Sequence, residues 1–444
     1  MSLLKLAWKN IIASPLTLLL NIILFALGIG LINFLLLFNQ QVKNKFENNL
    51  AGIDLVIGAK GSPLQMILCN MYHVDNPTGN IKIEKAKPFL NPKHPLIKRA
   101  VPLSLGDNYR SYRIVGSTYE ILDLYNGKIK EGKKWVRDQD VTIGSIVAKK
   151  TGLKLGDKFV SSHGFEEDED LAHDHMAFTV VGILESSGTV LDQLILTNTA
   201  SIWNVHSHVE SDAADEHEGH DHGDHEGHDH DDHAGHDHGD DDHAGHDHKH
   251  DNSIADLLNH PEEEITAILI QFKSRTNFQA LSMPRNINEN TDLMAASPAY
   301  QINNLNANIG VGTAALRYLA LLIAFISGLS IFISLFKSLQ ERKYELALMR
   351  VSGASAGQLF FLIIIEGLIL GLVGFAIGII VSHLASSVMA SAMSDAYQYS
   401  FDSWKFGKNE LYLLILSLSI GFIASVLPAI KAFNTDINKT LNAK

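Results

Sequence analysis

Residues 15–38 read PLTLLLNIILFALGIGLINFLLLF, 24 positions without a charged side chain. As a helix this run reaches roughly 36 Å, enough to cross a ~30 Å hydrocarbon layer with some tilt. A secretory leader has a shorter apolar core and a small-residue cleavage site. This run is too long and lacks such a site, so it reads as a retained anchor. Three more apolar runs follow, at residues 316–336, 359–384 and 411–430. Each is about 20 residues or longer, a length that buried helices of soluble domains rarely sustain.

Charge orients these spans, because Lys and Arg collect on the cytoplasmic side of a membrane. Lys5 and Lys9 precede the first run, and Lys337, Arg342, Lys343 and Arg350 lie between the second and third. Lys431, Lys439 and Lys444 follow the fourth. The loop at 385–410 sets Asp395, Asp402 and Glu410 against Lys405 and Lys408 and fits the outside. Four spans with both termini cytoplasmic also place residues 39–315 outside. The third run contains one carboxylate, Glu366. A charge at mid-span costs about 2.5–3.5 kcal/mol on insertion scales, so Glu366 is expected to meet a partner and play a structural, hydrogen-bonding role. His383, near the outer end of that run, reads as interfacial.

The 444 residues are too many for one ordinary domain. The formal charge of −13 is local: residues 209–251 hold 17 Asp or Glu and a single Lys, a net of −16 that leaves the rest slightly basic. No basic patch points to nucleic acid. Cys69 is the only cysteine, so no internal disulfide forms, and it is expected to be buried. Residues 3–14, LLKLAWKNIIAS, can set Leu3, Leu4, Ala7, Trp8 and Ile11 on one face. They read as a helix lying along the cytoplasmic membrane surface, with a break at Ser14-Pro15, or else as an extension of the first span.

Between the first two spans, residues 39–50 and 300–315 can prolong the flanking helices outward. Short strand-like runs at 54–58, 112–115 and 265–272 lie among turn signals. Residues 143–157, IGSIVAKKTGLKLGD, read as a helix presenting Ile146, Val147 and Lys150. Gly152 ends it, and a Gly156-Asp157 turn leads into a strand at 158–160. Residues 178–185, FTVVGILE, read as another strand. The mixture is α+β.

Between the second and third spans, QERKYELALMRVSGAS (340–355) begins as a charged helix with apolar residues on one side; Gly353 and Ser355 mark an end and a new start. On pattern alone it is either a surface for a cytoplasmic motor or a solvated hairpin. Residues 345–354, ELALMRVSGA, resemble the coupling helix of the FtsX-like, MacB-type ABC permeases, also called type VII or mechanotransmission systems. Gln358-Leu359-Phe360, Glu366-Gly367 and Gly371-Leu372-Val373-Gly374 resemble that family's third span. Leu6-Ala7-Trp8-Lys9-Asn10 resembles its N-terminal elbow, Leu427-Pro428-Ala429-Ile430-Lys431-Ala432 its exit from the fourth span, and residues 143–157 its outer-domain signature. Residues 206–250 have no counterpart.

The resemblance implies a membrane α-helical protein of four transmembrane helices with a large α+β extracytoplasmic domain inserted between helices 1 and 2. It implies an elbow at 1–14, helix 1 and stalk at 15–50, a MacB-like outer domain at 51–300, and stalk and helix 2 at 301–338. The coupling helix falls at 339–357, helix 3 at 358–384, an outer loop at 385–410, and helix 4 with its tail at 411–444. Glu345, Leu346, Leu348, Met349, Arg350, Ser352 and Gly353 would meet a cytoplasmic ABC ATPase. Two permeases would pair in the bacterial inner membrane as a homodimer or paired permease, and ATP-driven motion would pass from the coupling helices to the outer domains. The chain has no Gly-x-x-x-x-Gly-Lys-Ser/Thr phosphate loop. It is therefore expected to have no catalytic residue and to rely on a separate ATPase.

Fifteen of the 22 histidines fall within 206–250. His-x-Gly-His-Asp-His occurs four times, supplying His217, His220, His222; His225, His228, His230; His233, His236, His238; and His243, His246, His248, with His250 after them. Almost without apolar residues, the tract cannot bury enough surface to fold alone and reads as a disordered insertion. Neutral imidazoles beside carboxylates are ligands for zinc, copper or nickel, with zinc favoured, in several exchangeable sites. His163, His173 and His175 are further candidates. The bland alternative is an acidic spacer. Three functions are open: a machine serving metal handling with an extracytoplasmic metal-binding partner, one moving a lipoprotein, peptide or antibiotic, and a non-transport regulator of a cell-wall enzyme.

Overall fold

The computed structural model describes residues 3–12, 15–162, 172–205, 252–397 and 407–434. Its helices are α1 (Leu3–Ile12), α2 (Pro15–Leu50), α3 (Pro63–Tyr72), α4 (Ile83–Leu90), α5 (Glu120–Leu124), α6 (Ser145–Thr151), α7 (199–205), α8 (Ile254–Leu257), α9 (Phe278–Asn290), α10 (Pro298–Glu341), α11 (Lys343–Val351), α12 (Ala356–Tyr397) and α13 (Lys408–Phe433). Its strands are β1 (Leu55–Ala59), β2 (Ile81–Lys82), β3 (Ile97–Tyr109), β4 (Tyr112–Ser117), β5 (Ile129–Gly132), β6 (Asp140–Ile143), β7 (Lys158–Ser162), β8 (Ala172–Leu184), β9 (Ile195–Thr197), β10 (Glu264–Ile265), β11 (Ala267–Phe272) and β12 (Leu293–Ala296). The chain divides into a helical unit, residues 1–44 with 305–444, and a sheet unit, residues 45–304.

In the helical unit, α2, α10, α12 and α13 are long and apolar enough to cross a membrane, and each contains one of the four apolar runs. The helices outlast the runs. α12 continues to Tyr397 and α13 starts at Lys408, so most of the loop expected at 385–410 is helical. The reason is composition: ASSVMASAMSDA at 385–396 is too polar to prolong an apolar run, but its Ala and Met favour helix.

Lipid offers little hydrophobic drive between helices, so close backbone approach and buried hydrogen bonds hold them. A Cβ on Gly367 would stand 2.6 Å from the Gly421 carbonyl oxygen, and one on Gly30 would stand 2.9 Å from that of Gly378. Around these contacts the Ser417 hydroxyl donates to the Gly371 carbonyl (2.7 Å), Asn33 Nδ2 to Ser382 Oγ (2.7 Å) and Ser330 Oγ to Asn21 Oδ1 (2.6 Å).

The sheet unit holds ten paired strands in the order β12-β1-β11-β3-β4-β9-β6-β8-β5, with β7 pairing β3 and β8. The pairs β4–β9 and β6–β8 are parallel and the remaining pairs antiparallel. Branched side chains of the strands and helices make two cores. Leu55, Ile57, Ile268 and Ile270 pack with Ile83 and Leu90 of α4 and Ile287 of α9. Ile114, Val141, Phe178 and Ile195 pack with Val147 of α6.

The strand expected at 265–272 is split. Thr266 N donates to the Leu103 carbonyl and Thr266 Oγ1 accepts from Leu105 N, which separates β10, paired with β2, from β11, paired with β3. The helix within 143–157 is α6, closed by Gly152 at φ +78°, where a side chain would be strained.

Candidate functional site

The corner between α10 and α11 is a single residue, Arg342. α11 then buries Leu346 and Ala347; Leu346 joins a cluster with Leu339, Leu359, Leu362 and Ile363, and Met349 packs against it. Of the seven residues assigned to coupling, Leu346 and Met349 thus hold the helix onto the bundle. Glu345, Leu348, Ser352 and Gly353 are exposed, Leu348 by 51%, and Arg350 is half-buried.

Local chemistry sets both ends of the turn that follows. Gly353 lies at φ +100°, its N–H donates to the Arg350 carbonyl, and Ala354 N donates to the Met349 carbonyl. That crossed pair satisfies the orphan carbonyls of the helix end, and glycine takes the left-handed position without strain. Ser355 and Gln358 then cap α12 reciprocally: Gln358 N donates to Ser355 Oγ (3.2 Å) and Ser355 N to Gln358 Oε1 (2.9 Å).

Ten residues into α12, Glu366 is buried. Its Oε1 accepts from Asn10 Nδ2 of α1 at 2.7 Å and stands 3.6 Å from Arg342 Nη1. Arg342 Nε lies 3.5 Å from Glu345 Oε2 of α11. One guanidinium is therefore shared between a buried carboxylate of the third span and an exposed carboxylate of α11. The sequence pointed to a partner for Glu366 without naming Asn10 or Arg342. Asn10 carried a signal, a lone amide beside the apolar Ile11. The single apolar face expected for α1 is divided: Ala7 and Ile11 are buried, while Leu4 and Trp8 remain exposed. α1 packs on α12, where Ala7 sits beside the α12 residues Leu359, Leu362 and Ile363 in one cluster.

His383 is 1% exposed, and its Nε2 lies 2.9 Å from Glu410 Oε1. The longer α12 and earlier start of α13 enclose both side chains among helices.

Cys69 is buried as expected, 3.7 Å from Arg113 Nη1. Burial pushes its thiol up to about 11, which makes it a packing residue rather than a nucleophile. Burial, with the Arg113 charge, lowers His73 to about 3.

The thirteen tract ligands, His217 through His250, and His163 lie outside the described residues; His173 and His175 stand in β8. Among the described residues, no group of three or more His, Cys, Asp or Glu is placed to hold a metal ion.

Residues 318–437 match the family model for the FtsX-like permease C-terminal domain. That segment, at least, is an FtsX-like permease domain. The matched segment takes in α11, Arg342, Glu366 and the His383–Glu410 pair, and leaves out α1, α2 and the sheet unit. Proteins of that family are non-catalytic membrane subunits of ABC systems and imply an ATPase partner. No curated protein matches the chain.

Proposed function

We propose that this permease is a MacB-type mechanical transmitter whose sheet unit works outside the cell membrane and serves zinc or other divalent-metal handling. The observation that carries the mechanical part is continuity: α2 and α10 each begin in one unit and end in the other without a helical break. ATP binding by a separate cytoplasmic ATPase displaces α11 through its exposed face, Glu345, Leu348, Ser352 and Gly353. The α2 and α10 segments carry that movement to the sheet unit. Two permeases pair in the membrane, with both termini cytoplasmic, as the Lys and Arg distribution favours.

The metal part rests on the four His-x-Gly-His-Asp-His repeats, a reservoir of imidazole and carboxylate ligands. The tract stores several exchangeable zinc ions for an extracytoplasmic metal-binding protein. Proton competition empties it below about pH 6.5.

The test compares three strains: intact, whole-gene deletion, and deletion of residues 206–250. Lower cellular zinc and poorer growth under chelation in both deletions support the reading. Normal zinc in both defeats the metal part and turns attention to lipoprotein export or cell-wall enzyme control. Titration of the detergent-purified full chain with zinc checks the store: several ions bind the intact chain, and the tract deletion loses them.

A further inference from the structure

The node around Glu366 joins three elements that the sequence keeps apart: the N-terminal helix, the α10–α11 corner and the third span. Its geometry is asymmetric. Asn10 makes a direct 2.7 Å bond to Glu366 Oε1, whereas Arg342 stands at 3.6 Å from that same oxygen and at 3.5 Å from Glu345. Glu366 is shielded, the Glu345 side chain is 66% exposed and that of Arg342 is 15% exposed. A guanidinium equidistant from two carboxylates, one accessible to a docking partner and one not, is a two-position element. Drawing Glu345 away leaves Arg342 to Glu366 alone, and pulling on α11 pulls on the carboxylate that holds α1.

We propose that Arg342 and Glu366 are positioning residues that tie displacement of α11 to the N-terminal helix α1. Arg342 acts as the shared arm and Asn10 as the anchor on α1. The proposal rests on the reading of α11 as the coupling helix. It adds that α1, which only follows the membrane surface in that reading, moves with α11. Arg suits the role because its planar fork serves two carboxylates at once, which a Lys point charge does less well. Among the described residues, Glu366 of α12 is the buried carboxylate that bonds α1.

The test places spin labels on exposed positions of α1 and α11, Leu4→Cys and Val351→Cys, in a Cys69→Ala background, with the full chain in nanodiscs. The native α1–α11 distance distribution is expected to be narrow. Arg342→Gln, Glu366→Gln and Asn10→Ala should each at least double its width, and Arg342→Lys should recover most of the native width. Unchanged widths in Arg342→Gln and Asn10→Ala overturn the proposal. If Glu366→Gln does not yield folded protein, those two variants decide.

A second readout uses the permease with its co-purified ATPase. Arg342→Gln should lower ATP turnover at least fivefold at unchanged ATPase stoichiometry, and turnover within twofold of native overturns the arm. If the native chain retains no ATPase while the distances respond as expected, the coupling reading of α11 fails and the tie between α1 and α11 stands.

Discussion

In the helical unit, buried titratable groups meet a partner from another element: Glu366 of α12 meets Asn10 and Arg342, and His383 of α12 meets Glu410 of α13. In the sheet unit, Cys69, beside Arg113 of β4, and His73 are held neutral by burial, the thiol at about 11 and the imidazole at about 3. The difference follows from what stabilises each unit. The sheet unit gains from removing branched side chains from water, so neutral polar groups can be carried along in its core. Helices in lipid gain little that way, and inter-helix hydrogen bonds and close glycine contacts decide which faces meet. Glu366 and His383 therefore act as connectors between helices, whereas Cys69 and His73 ride as neutral passengers in the sheet unit's core.

The largest expected effect breaks a connector. Arg342→Ala leaves Glu366 buried with only the Asn10 amide, and one-sided removal from a buried pair costs about 3 kcal/mol or more. Thermal unfolding in detergent should show it, and a shift no larger than that of an exposed control such as Leu348→Ala would remove the connector reading. Gly367→Val comes next, because its Cβ must stand 2.6 Å from a backbone oxygen of the neighbouring helix. Overpacking of this kind costs roughly 1–3 kcal/mol. A stability equal to native would mean the helices part easily there.

The passengers should show smaller, pH-dependent effects. His73 is unprotonated in the folded unit down to about pH 3, whereas the unfolded chain takes up a proton near 6.5. Between those values the unfolded state binds more protons, so stability falls as pH drops from 6.5 toward 3. The loss is about 1–2 kcal/mol at pH 5. Urea unfolding across that range should reveal the slope, and His73→Gln should flatten it. The smallest effect belongs to Cys69: maleimide at pH 8 should label it only after denaturation, and rapid labelling of the folded chain would contradict its burial.

Much of the architecture was legible because its signals are local. Length and hydropathy mark the four membrane helices without any knowledge of packing. Gly353, Ser355 and Gln358 announce the α11–α12 turn by backbone and capping chemistry that operates within a few residues. Gly152 does the same for α6. Residues 385–397 are helical although polar, because polarity and helix propensity are different properties and an apolar run marks only the first.

What the sequence determined, then, is what depends on neighbours in the chain: the spans, the turn geometry, the charge asymmetry and the ligand-rich repeats. Tertiary structure decided the rest. Leu346 faces the bundle while Leu348 faces out, because α11 has one side to pack. Glu366 finds Asn10 356 positions away, and His383 lies inside against Glu410. Hydrogen bonds and desolvation act through space, and a chain folded into helices brings together residues whose separation in sequence carries no trace of their contact.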